Sequence, residues 1–257
     1  MPNSVSMSKA EPSLLFALTY HSISEGPSPL CISVESFEQQ LELLLDAGFR
    51  AQPLGKLVDT VESRKAPPGR FFSLTFDDAY RDFRDAALPV LERLALPATV
   101  FATAATERSC LPGGIGKSLL ELSELKDLTE HNIEIGAHSL SHPDLTMLDD
   151  ATVERELVDS RRILEQHAET EVLDFAYPFG RINARVRQIA SHVFRSAWTT
   201  RLAVIESKDD LHALPRVDAY YLGSPLLRRL LAKGRPDTYL RFRGWLRRLR
   251  GTETSYQ

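Results

Sequence analysis

The chain has 257 residues, of which 43% are hydrophobic and 26% charged, and its formal net charge at pH 7 is −4. This length admits one α/β barrel or two smaller domains, and the composition is typical of a soluble globular protein. No apolar run is long enough to cross a membrane, and the N-terminal residues lack the pattern of a secretory signal. Cys31 and Cys110 are isolated, which excludes a disulfide framework and a thiolate zinc site. We therefore expect a cytoplasmic protein.

Charge is unevenly distributed along the chain. Residues 222–257 carry nine Lys or Arg residues against two acidic residues, or +7, which leaves −11 for residues 1–221. This asymmetry predicts two parts, a folded region over 1–221 and a basic extension over 222–257. In the extension, apolar residues recur at helical spacing and predict two basic amphipathic helices, with the stripes Leu226, Leu227, Leu230, Leu231 and Tyr239, Phe242, Trp245, Leu246.

Apolar runs alternate with helical patterns through the first 221 residues. The runs that predict strands are 14–20, 71–76, 97–103, 133–137, 172–177, 194–198, 203–205 and 211–217. Helical spacing predicts a helix that starts at Ser36 in a capping box with Gln39, and further helices at 54–61, 80–95, 118–131, 149–167 and 182–193. Strands that alternate with helices favour a parallel sheet, and at this length a distorted (β/α) barrel of about seven strands.

Two adjacent carboxylates, Asp77 and Asp78, end the apolar run 71–76. Ionised carboxylates repel each other and need water, a cation or hydrogen bonds, so this pair belongs at the open end of the strand. A single Asp in this place would be interpreted as the N-cap of the following helix. A pair after a buried strand favours a metal site or an acid–base site.

Two histidines four residues apart, His138 and His142, follow the predicted strand 133–137. Pro143 cannot continue a helix, so we expect a loop or a single turn here. Taken alone, the pair fits a surface or helix-capping position equally well. Together with Asp78 it forms a set of two imidazoles and one carboxylate, which leaves open positions on a divalent cation, and Asp77 stands beside this set as a base.

Three motifs occur in a characteristic order: TFDD at 75–78, HSLSH at 138–142 and FAYPFG at 175–180. In order and approximate spacing they resemble the first three motifs of the polysaccharide deacetylases, the fourth family of carbohydrate esterases. The resemblance covers roughly residues 14–217. It implies a distorted (β/α) barrel and metal-dependent hydrolysis of an N-acyl, less often an O-acyl, group on a sugar.

The resemblance assigns Asp77 as the catalytic base, and Asp78, His138 and His142 as the ligands of one divalent metal ion. Such an ion lowers the pKa of its water from 15.7 to roughly 7, so a carboxylate can complete the deprotonation near neutral pH. Zn²⁺ is the first expectation, and Co²⁺, Mn²⁺ and Ni²⁺ fit the same ligand set. The expected substrate is an acetylated amino sugar in a polysaccharide, glycolipid or glycoside.

The third motif and a later tryptophan are expected to shape the substrate pocket. By resemblance, the backbone N–H of Phe179 holds the developing oxyanion, and one such donor is typically worth about 3 kcal/mol in the transition state. Tyr177 and Pro178 are expected to contact the substrate from the same turn, which without the other motifs would be an ordinary β-turn. Trp198 is expected to line the acyl pocket, although core packing is the commoner place for a tryptophan.

Two features of the family are missing at their usual places. The late Leu-x-His motif that supplies the general acid has no convincing match, so His21 is assigned as the acid because Tyr20-His21 resembles an element of biofilm poly-N-acetylglucosamine deacetylases. Water or His212 is the alternative. Ala176 replaces an arginine that pairs with the base in many members, and Arg216 either supplies that charge or lies on the surface.

Two other classes of protein compete with the deacetylase interpretation. A metal phosphohydrolase also uses acidic pairs and histidines, but the first 221 residues are acidic and contain no Gly-rich phosphate loop. A carbohydrate-binding relative without activity is compatible with the altered motifs. The intact Asp77, Asp78, His138 and His142 argue against it.

The basic helices of residues 222–257 admit three interpretations. They pack on the barrel with solvated arginines, lie on anionic lipid at the inner membrane face, or bind a partner or an anionic glycan. Nucleic acid is not expected, because the body of the chain is acidic and contains no recognition motif.

Overall fold

The computed structural model describes residues 13–105 and 114–249. The expectations for Cys110, for residues 1–12 and for residues 250–257 lie outside this part of the chain. The strands are β1 (Leu14–Tyr20), β2 (Ser22–Ile23), β3 (Cys31–Ile32), β4 (Arg50–Ala51), β5 (Arg70–Asp77), β6 (Ala98–Ala102), β7 (Ile133–Ala137), β8 (Asp174–Ala176), β9 (Ser196–Trp198) and β10 (Val217–Asp218). The α-helices are α1 (Val34–Asp46), α2 (Leu54–Ser63), α3 (Leu88–Leu94), α4 (Leu125–Thr129), α5 (Asp150–Ala168), α6 (Ala184–Val193), α7 (Pro225–Ala232) and α8 (Asp237–Leu249).

One curled parallel sheet organises the molecule. Its strands follow the order β10-β1-β5-β6-β7-β8-β9, with β4 paired separately to β5, while β2 and β3 form a small second pair. The two edge strands of the sheet are β10 and β9. The chain just before β10 narrows the gap between them, because Leu214 bridges to Trp198 of β9 while Val217 pairs with Leu18 of β1. The sheet is a half-barrel, and it confirms the predicted distorted barrel of about seven strands.

The parallel arrangement brings the predicted site residues to one end of the sheet. Parallel strands in such folds share their carboxyl end, where α/β proteins keep their chemistry. Asp77 is the last residue of β5, and His21, His138 and Tyr177 directly follow β1, β7 and β8. All seven side chains of β1 are buried, as expected for a strand with both faces covered.

The first helix begins three residues before its predicted start. Ser33, not Ser36, is the N-cap of α1, and its hydroxyl oxygen accepts a hydrogen bond from the backbone N–H of Ser36. The predicted capping box from Ser36 to Gln39 is therefore wrong, and Gln39 donates to Glu35 one turn earlier instead. Phe37, Leu41 and Leu44 form the buried apolar face of α1.

The two predicted helices 80–95 and 118–131 are shorter and interrupted. A π-helical turn over Phe83–Ala87 precedes α3, because Pro89 lacks the N–H that a continuous α-helix needs at this place. Residues 118–120 pair with residues 79–81 instead of forming a helix, since Arg81 donates to the carbonyl of Ser118 and Leu120 to that of Ala79. Only a 3₁₀ turn and α4 remain of the second helix.

The apolar runs near the end of the barrel also form fewer strands than predicted. Residues 203–205 form no strand, and Ile205 makes a single backbone hydrogen bond, from its N–H to the carbonyl of Leu15. Of the run 211–217, only its last residue lies in β10. The predicted long helix 149–167 is confirmed as α5, with Asp149 as its N-cap.

The basic helices pack on the barrel. Leu227, Leu231 and Leu240 are buried in the same core cluster as the strands, so α7 and α8 share the core of residues 1–221. Phe242 and Trp245, which the stripe of α8 predicted to be apolar neighbours, are more than half exposed. The division of the chain at residue 222 stays a prediction. None of the helices within the described residues combines the length and the apolar character needed to cross a membrane.

Candidate active site

Strained backbone marks the carboxyl end of the sheet. Nine non-glycine residues of the described chain have positive φ, and five of them lie in the three motifs or directly beside them: Asp78, Ala79, Ser139, His142 and Phe179. Left-handed backbone costs a non-glycine residue about 1–3 kcal/mol and persists at functional sites where other contacts enforce it. The concentration of such residues here therefore marks a functional site independently of the side chains.

The carboxylate of Asp77 is held by a buried arginine. Arg216 donates from Nη1 to Oδ1 at 2.6 Å and from Nη2 to Oδ2 at 2.8 Å, and its Nε–H donates to the carbonyl of Thr199. Arg216 is 1% exposed and lies over the ring of Phe101, so the interpretation as a surface arginine is wrong. Ala176 cannot pair with the base, and Arg216 makes this ion pair with Asp77 instead.

This pair keeps Asp77 ionised. Burial acts to raise the pKa of Asp77, but the charge of Arg216 and then those of His138 and His21 outweigh it, so the pKa lies below its ordinary value. A buried carboxylate that is charged at neutral pH and lies beside a ligand set has the properties of a base. Asp77 and Asp78 cap no helix, since the next helical turn begins at Phe83.

His21 lies at the edge of Asp77 and is partly open to solvent. Its Nε2 is 4.0 Å from Oδ2 of Asp77, and 17% of its side chain is exposed. The segment after His21 is fixed by Asp82, which accepts hydrogen bonds from the hydroxyl of Ser22 at 2.5 Å and from the N–H of Ile23 at 3.0 Å. Asp82 thus connects the loop after the Asp77-Asp78 pair to the residues that position His21.

Asp78, His138 and His142 converge on one point. Oδ1 of Asp78 lies 3.5 Å from Nε2 of His138 and 3.5 Å from Nε2 of His142, and all three side chains are buried. Ligand atoms about 2.1 Å from a tetrahedral metal ion stand about 3.4 Å apart, so the observed spacing fits such an ion. Oδ1 of Asp78 has no hydrogen-bond partner among the described residues, which is costly for a buried carboxylate unless a cation is bound.

The two histidines differ in their protonation. Nδ1 of His138 lies 2.7 Å from the carbonyl of Ala176, and because a carbonyl only accepts, we assign the proton to Nδ1 and leave Nε2 to face Asp78. Burial, and then the charge of His138, lowers the pKa of His142 to about 4, so His142 is neutral at pH 7. Burial also acts to lower the pKa of His138, but Asp78 and Asp77 outweigh it and raise that pKa.

A glutamate on α5 holds the loop between the two histidines. Glu156 accepts hydrogen bonds from the backbone N–H of Ser141 at 2.8 Å and from its hydroxyl at 2.7 Å. Within the loop, the hydroxyl of Ser139 accepts from the N–H of His142. These bonds fix the two left-handed residues, Ser139 and His142, which turn both imidazoles inward. The prediction of a loop or single turn at this place is confirmed.

The third motif forms a strained turn at the rim. Phe179 has φ 59° and ψ 6°, and its ring lies edge-on against His142 at 4.6 Å between centroids, with 45% of the residue exposed. Gly180 also has positive φ, and a Cβ there would lie 2.1 Å from Oγ1 of Thr200. Only glycine fits this close contact between the turn and the chain after β9.

Three other predicted or alternative residues are held by hydrogen bonds to residues outside the ligand set. Trp198 is fully buried in the core, and its indole N–H donates to the hydroxyl of Ser196. Tyr177 is also fully buried, with its hydroxyl donating to the carbonyl of His212. Nε2 of His212 is 3.0 Å from the carbonyl of Phe194, which precedes β9 and so lies at the opposite end of the sheet from Asp77. Pro178 is buried beneath Phe179 in the turn.

Sequence reasoning missed Asp82, Glu156 and Tyr80. Burial, and then the charge of Asp78, raises the pKa of Tyr80, whose hydroxyl accepts a hydrogen bond from the N–H of Ile115. The position of Asp82, four residues after Asp78, was the only available signal for it. Nothing distinguishes Glu156 in the sequence from the other carboxylates of α5.

The chain was compared with protein families, with curated proteins and with solved structures. The family model "Polysaccharide deacetylase" matches residues 64–194, just over half of the chain. The Bacillus subtilis (strain 168) protein named "Putative polysaccharide deacetylase YxkH" is 28% identical over 213 residues, 80% of this chain and 72% of the relative. The Streptococcus pyogenes deacetylase PplD, solved in complex with acetate, is 26% identical with a TM-score of 0.71, over 80% of this chain and 92% of PplD. IcaB from Ammonifex degensii shares the fold at 22% identity, with a TM-score of 0.73 over 87% and 97% of the two chains.

Proposed function

This chain belongs to the polysaccharide deacetylase family, whose members are hydrolytic carbohydrate N-deacetylases, and from this premise we propose that it removes the N-acetyl group of an amino sugar within a glycan. The observation that carries the proposal is the convergence of Asp78, His138 and His142 beside the Asp77–Arg216 pair. The acetate bound to PplD supports the same reaction, because acetate is the product of N-deacetylation.

In the proposed reaction the metal ligands are Asp78, His138 and His142, and Zn²⁺ is the proposed ion. When bound, such an ion supplies Lewis acidity, which acidifies water and polarises a carbonyl. Asp77 accepts a proton from the attacking water, and Arg216 holds its carboxylate in place and keeps it ionised. The water oxygen then forms a bond to the acetyl carbon.

The remaining steps need a hydrogen-bond donor and an acid. The backbone N–H of Phe179 is proposed to donate to the oxygen that becomes negative at the acetyl carbon. His21 is proposed to give a proton to the sugar nitrogen as the C–N bond breaks, which releases acetate and the free amine. Its partial exposure beside Asp77 supports this role, since the acid must reach the substrate and exchange protons with solvent. For Trp198 and Tyr177, which are fully buried, we propose that they support the pocket from beneath.

The two competing functions are not favoured. The family model that matches the chain is that of polysaccharide deacetylases, and PplD is a deacetylase, which favours deacetylation over phosphate hydrolysis. A binding protein without activity would not need a charged base at Asp77, whose burial is tolerated only because Arg216 pairs with it.

The test is acetate release from N-acetylglucosamine oligomers with added Zn²⁺ or Co²⁺. We expect release that requires the metal and falls by about 10²–10⁴-fold in Asp77→Asn, because the base is removed. Metal content measured by atomic emission should stay unchanged, since the three ligands remain. The exposed Asp85→Asn serves as the matched control and should release acetate at the wild-type rate. Equal release by Asp77→Asn and the wild type would refute the assignment of the base.

We also propose that the substrate glycan is presented at an anionic membrane. The support is electrostatic: residues 222–257 carry +7, whereas residues 1–221 carry −11 and would be repelled by anionic lipid. The basic segment is therefore the part of the chain that an anionic membrane would attract. The cytoplasmic location stays a prediction.

A further inference from the structure

Two large aromatic side chains on α8 face outward. Phe242 is 56% exposed and Trp245 is 52% exposed, and their rings stack at 6.1 Å between centroids with an interplanar angle of 28°. A different face of α8 is buried, because Leu240 is only 2% exposed and belongs to the core of the barrel. Trp245 also lines a cleft with Leu202 and Leu240, but more than half of each ring is open to solvent, and this outer half is not the face by which α8 packs on the protein.

Charge surrounds the aromatic pair. Arg241 is exposed beside Phe242, and the exposed Arg229 of α7 and Lys233 after it add to the basic character of this part of the chain. Exposed residues of α8 recur at 237, 238, 241, 242 and 245, which is the spacing of one helical face, and Asp237 shares with Arg241 and Trp245 a cleft that Glu206 and Asp209 also line. A helix face that combines Trp and Phe with arginine is typical of a helix that lies in the lipid–water interface.

We propose that α8 docks this face on an anionic phospholipid bilayer, with the Phe242–Trp245 pair inserted at the level of the acyl boundary and Arg241 bound to headgroup phosphates. Charge complementarity selects this occupant, since +7 in residues 222–257 contrasts with −11 in the rest of the chain. An acidic body is held away from the lipid while the basic helix is drawn to it, which orients the molecule. The inference deepens the proposed membrane contact and does not depend on the deacetylase chemistry.

The chain provides its own reporter for the test. It contains two tryptophans, and Trp198 is fully buried, so a change in tryptophan emission on adding vesicles reports Trp245. We expect a blue shift with vesicles of phosphatidylcholine containing phosphatidylglycerol, a loss of the shift at high salt, and little change with phosphatidylcholine alone. No glycan is added, so the result is independent of the acetate-release test. Either test can fail while the other succeeds.

Two substitutions keep the reporter and change the surface. Phe242→Ser should lower the partition coefficient about tenfold because it removes an inserted ring. Arg241→Gln should lower it about fivefold for anionic vesicles alone. The matched control is Val158→Ser on α5, which removes another exposed apolar side chain and should have no effect.

Three results would overturn the proposal. The first is no blue shift of the full chain with anionic vesicles. The second is equal vesicle binding by Phe242→Ser and the wild type. The third is a blue shift that depends on protein concentration without vesicles, together with a dimer in light scattering, which would make a second copy of this chain the occupant.

Discussion

The pairing of Asp77 with Arg216 is the residue-level feature that makes a base of a buried carboxylate. Both side chains are almost fully buried, and a charge in such a place is stable only with a partner in good geometry. The two-pronged bond also fixes the direction of the carboxylate, so that its position relative to the metal ligands is set by the barrel. A single residue far along the chain therefore determines both the charge and the orientation of the base.

Substitution of Arg216 should separate its charge from its geometry. Arg216→Lys keeps a cation but loses the two-pronged bond, and we expect kcat to fall roughly tenfold or more. Arg216→Gln removes the largest of the charges that oppose burial, so the pKa of Asp77 rises relative to the wild type. Because Asp77 is then ionised only at higher pH, the acid limb of the pH profile of kcat/KM should move to higher pH.

Stability supplies a second measurement for the same variants. Arg216→Gln leaves a buried carboxylate without its partner, and the free energy of unfolding should fall by about 3–5 kcal/mol. Arg195→Gln is the matched control, because Arg195 pairs with Glu62 and Asp59 at the surface, where ion pairs contribute about 0–1 kcal/mol. An unchanged pH profile in Arg216→Gln would refute the role of Arg216 in setting the charge of Asp77.

At the scale of elements, the histidine loop depends on a helix that supplies no ligand. Glu156 of α5 holds Ser141 by two hydrogen bonds, and this clamp lies between the two ligands of the loop. Contacts of this kind orient the residues that bind a metal and are worth about 10–100-fold in affinity in other proteins. We therefore regard Glu156 as a positioning residue for His138 and His142.

Glu156→Gln should weaken metal binding. The amide offers one acceptor in place of two, so one bond to Ser141 is lost, and we expect the affinity for Zn²⁺ to fall about tenfold in competition with a chelator. Glu154→Gln, two residues earlier on the exposed face of α5, should leave the affinity unchanged. An affinity in Glu156→Gln equal to that of the wild type would show that the clamp does not act on the ligands.

Prediction of strands from the sequence succeeded where an apolar run also pairs with neighbouring strands in the sheet. The strands 14–20 and 133–137 are mainly apolar runs in the chain, and they form strands in the fold that are buried except for Glu134. It failed at 203–205, an apolar run that contacts the start of β1 through one hydrogen bond and extends no ladder. Hydrophobicity indicates burial, and the partner strand that decides the structure is not visible in the segment itself.

The candidate site was predicted for a different reason. Asp77, Asp78, His138 and His142 form motifs, whereas Glu156 and Asp82 are ordinary carboxylates whose importance comes from what they contact. Trp198 illustrates a different limit, because an aromatic residue at the end of a strand is equally compatible with a pocket wall and with the core. Side-chain direction, which the sequence does not encode locally, decides between the two.

At the scale of the whole molecule, the end of the barrel opposite the site carries an electrostatic cost. Asp174 at the start of β8 accepts a hydrogen bond from Ser196, and burial, assisted by the charge of Glu134, raises its pKa to about 6. The unfolded chain has the ordinary value of 3.8, so between these two pH values the folded protein holds a proton that the unfolded chain has lost. Stability contributed by this group is therefore present at low pH and lost as the pH rises towards 6.

Asp174→Asn should remove this cost. At pH 7.5 we expect the free energy of unfolding to increase by about 2 kcal/mol, since one pKa unit corresponds to about 1.4 kcal/mol and partial exposure reduces the full value. The gain should shrink in denaturant unfolding at pH 4.5, where the wild-type group is already protonated in the fold. Asp85→Asn, at an exposed position, should show no such dependence on pH. A gain from Asp174→Asn that is the same at both pH values would contradict the assignment.

The distance along the chain between Asp77 and Arg216 has a consequence for the order in which the catalyst is made. The pair spans 139 residues, and the segment matched by the family model, 64–194, contains the base and the three ligands but neither Arg216 nor His21. On the ribosome, all three ligands are synthesised before Arg216. A nascent chain that has reached β9 therefore contains all three metal ligands, whereas Arg216, the partner of Asp77, has not yet been synthesised. The residue directly before the last strand, Arg216, completes the base.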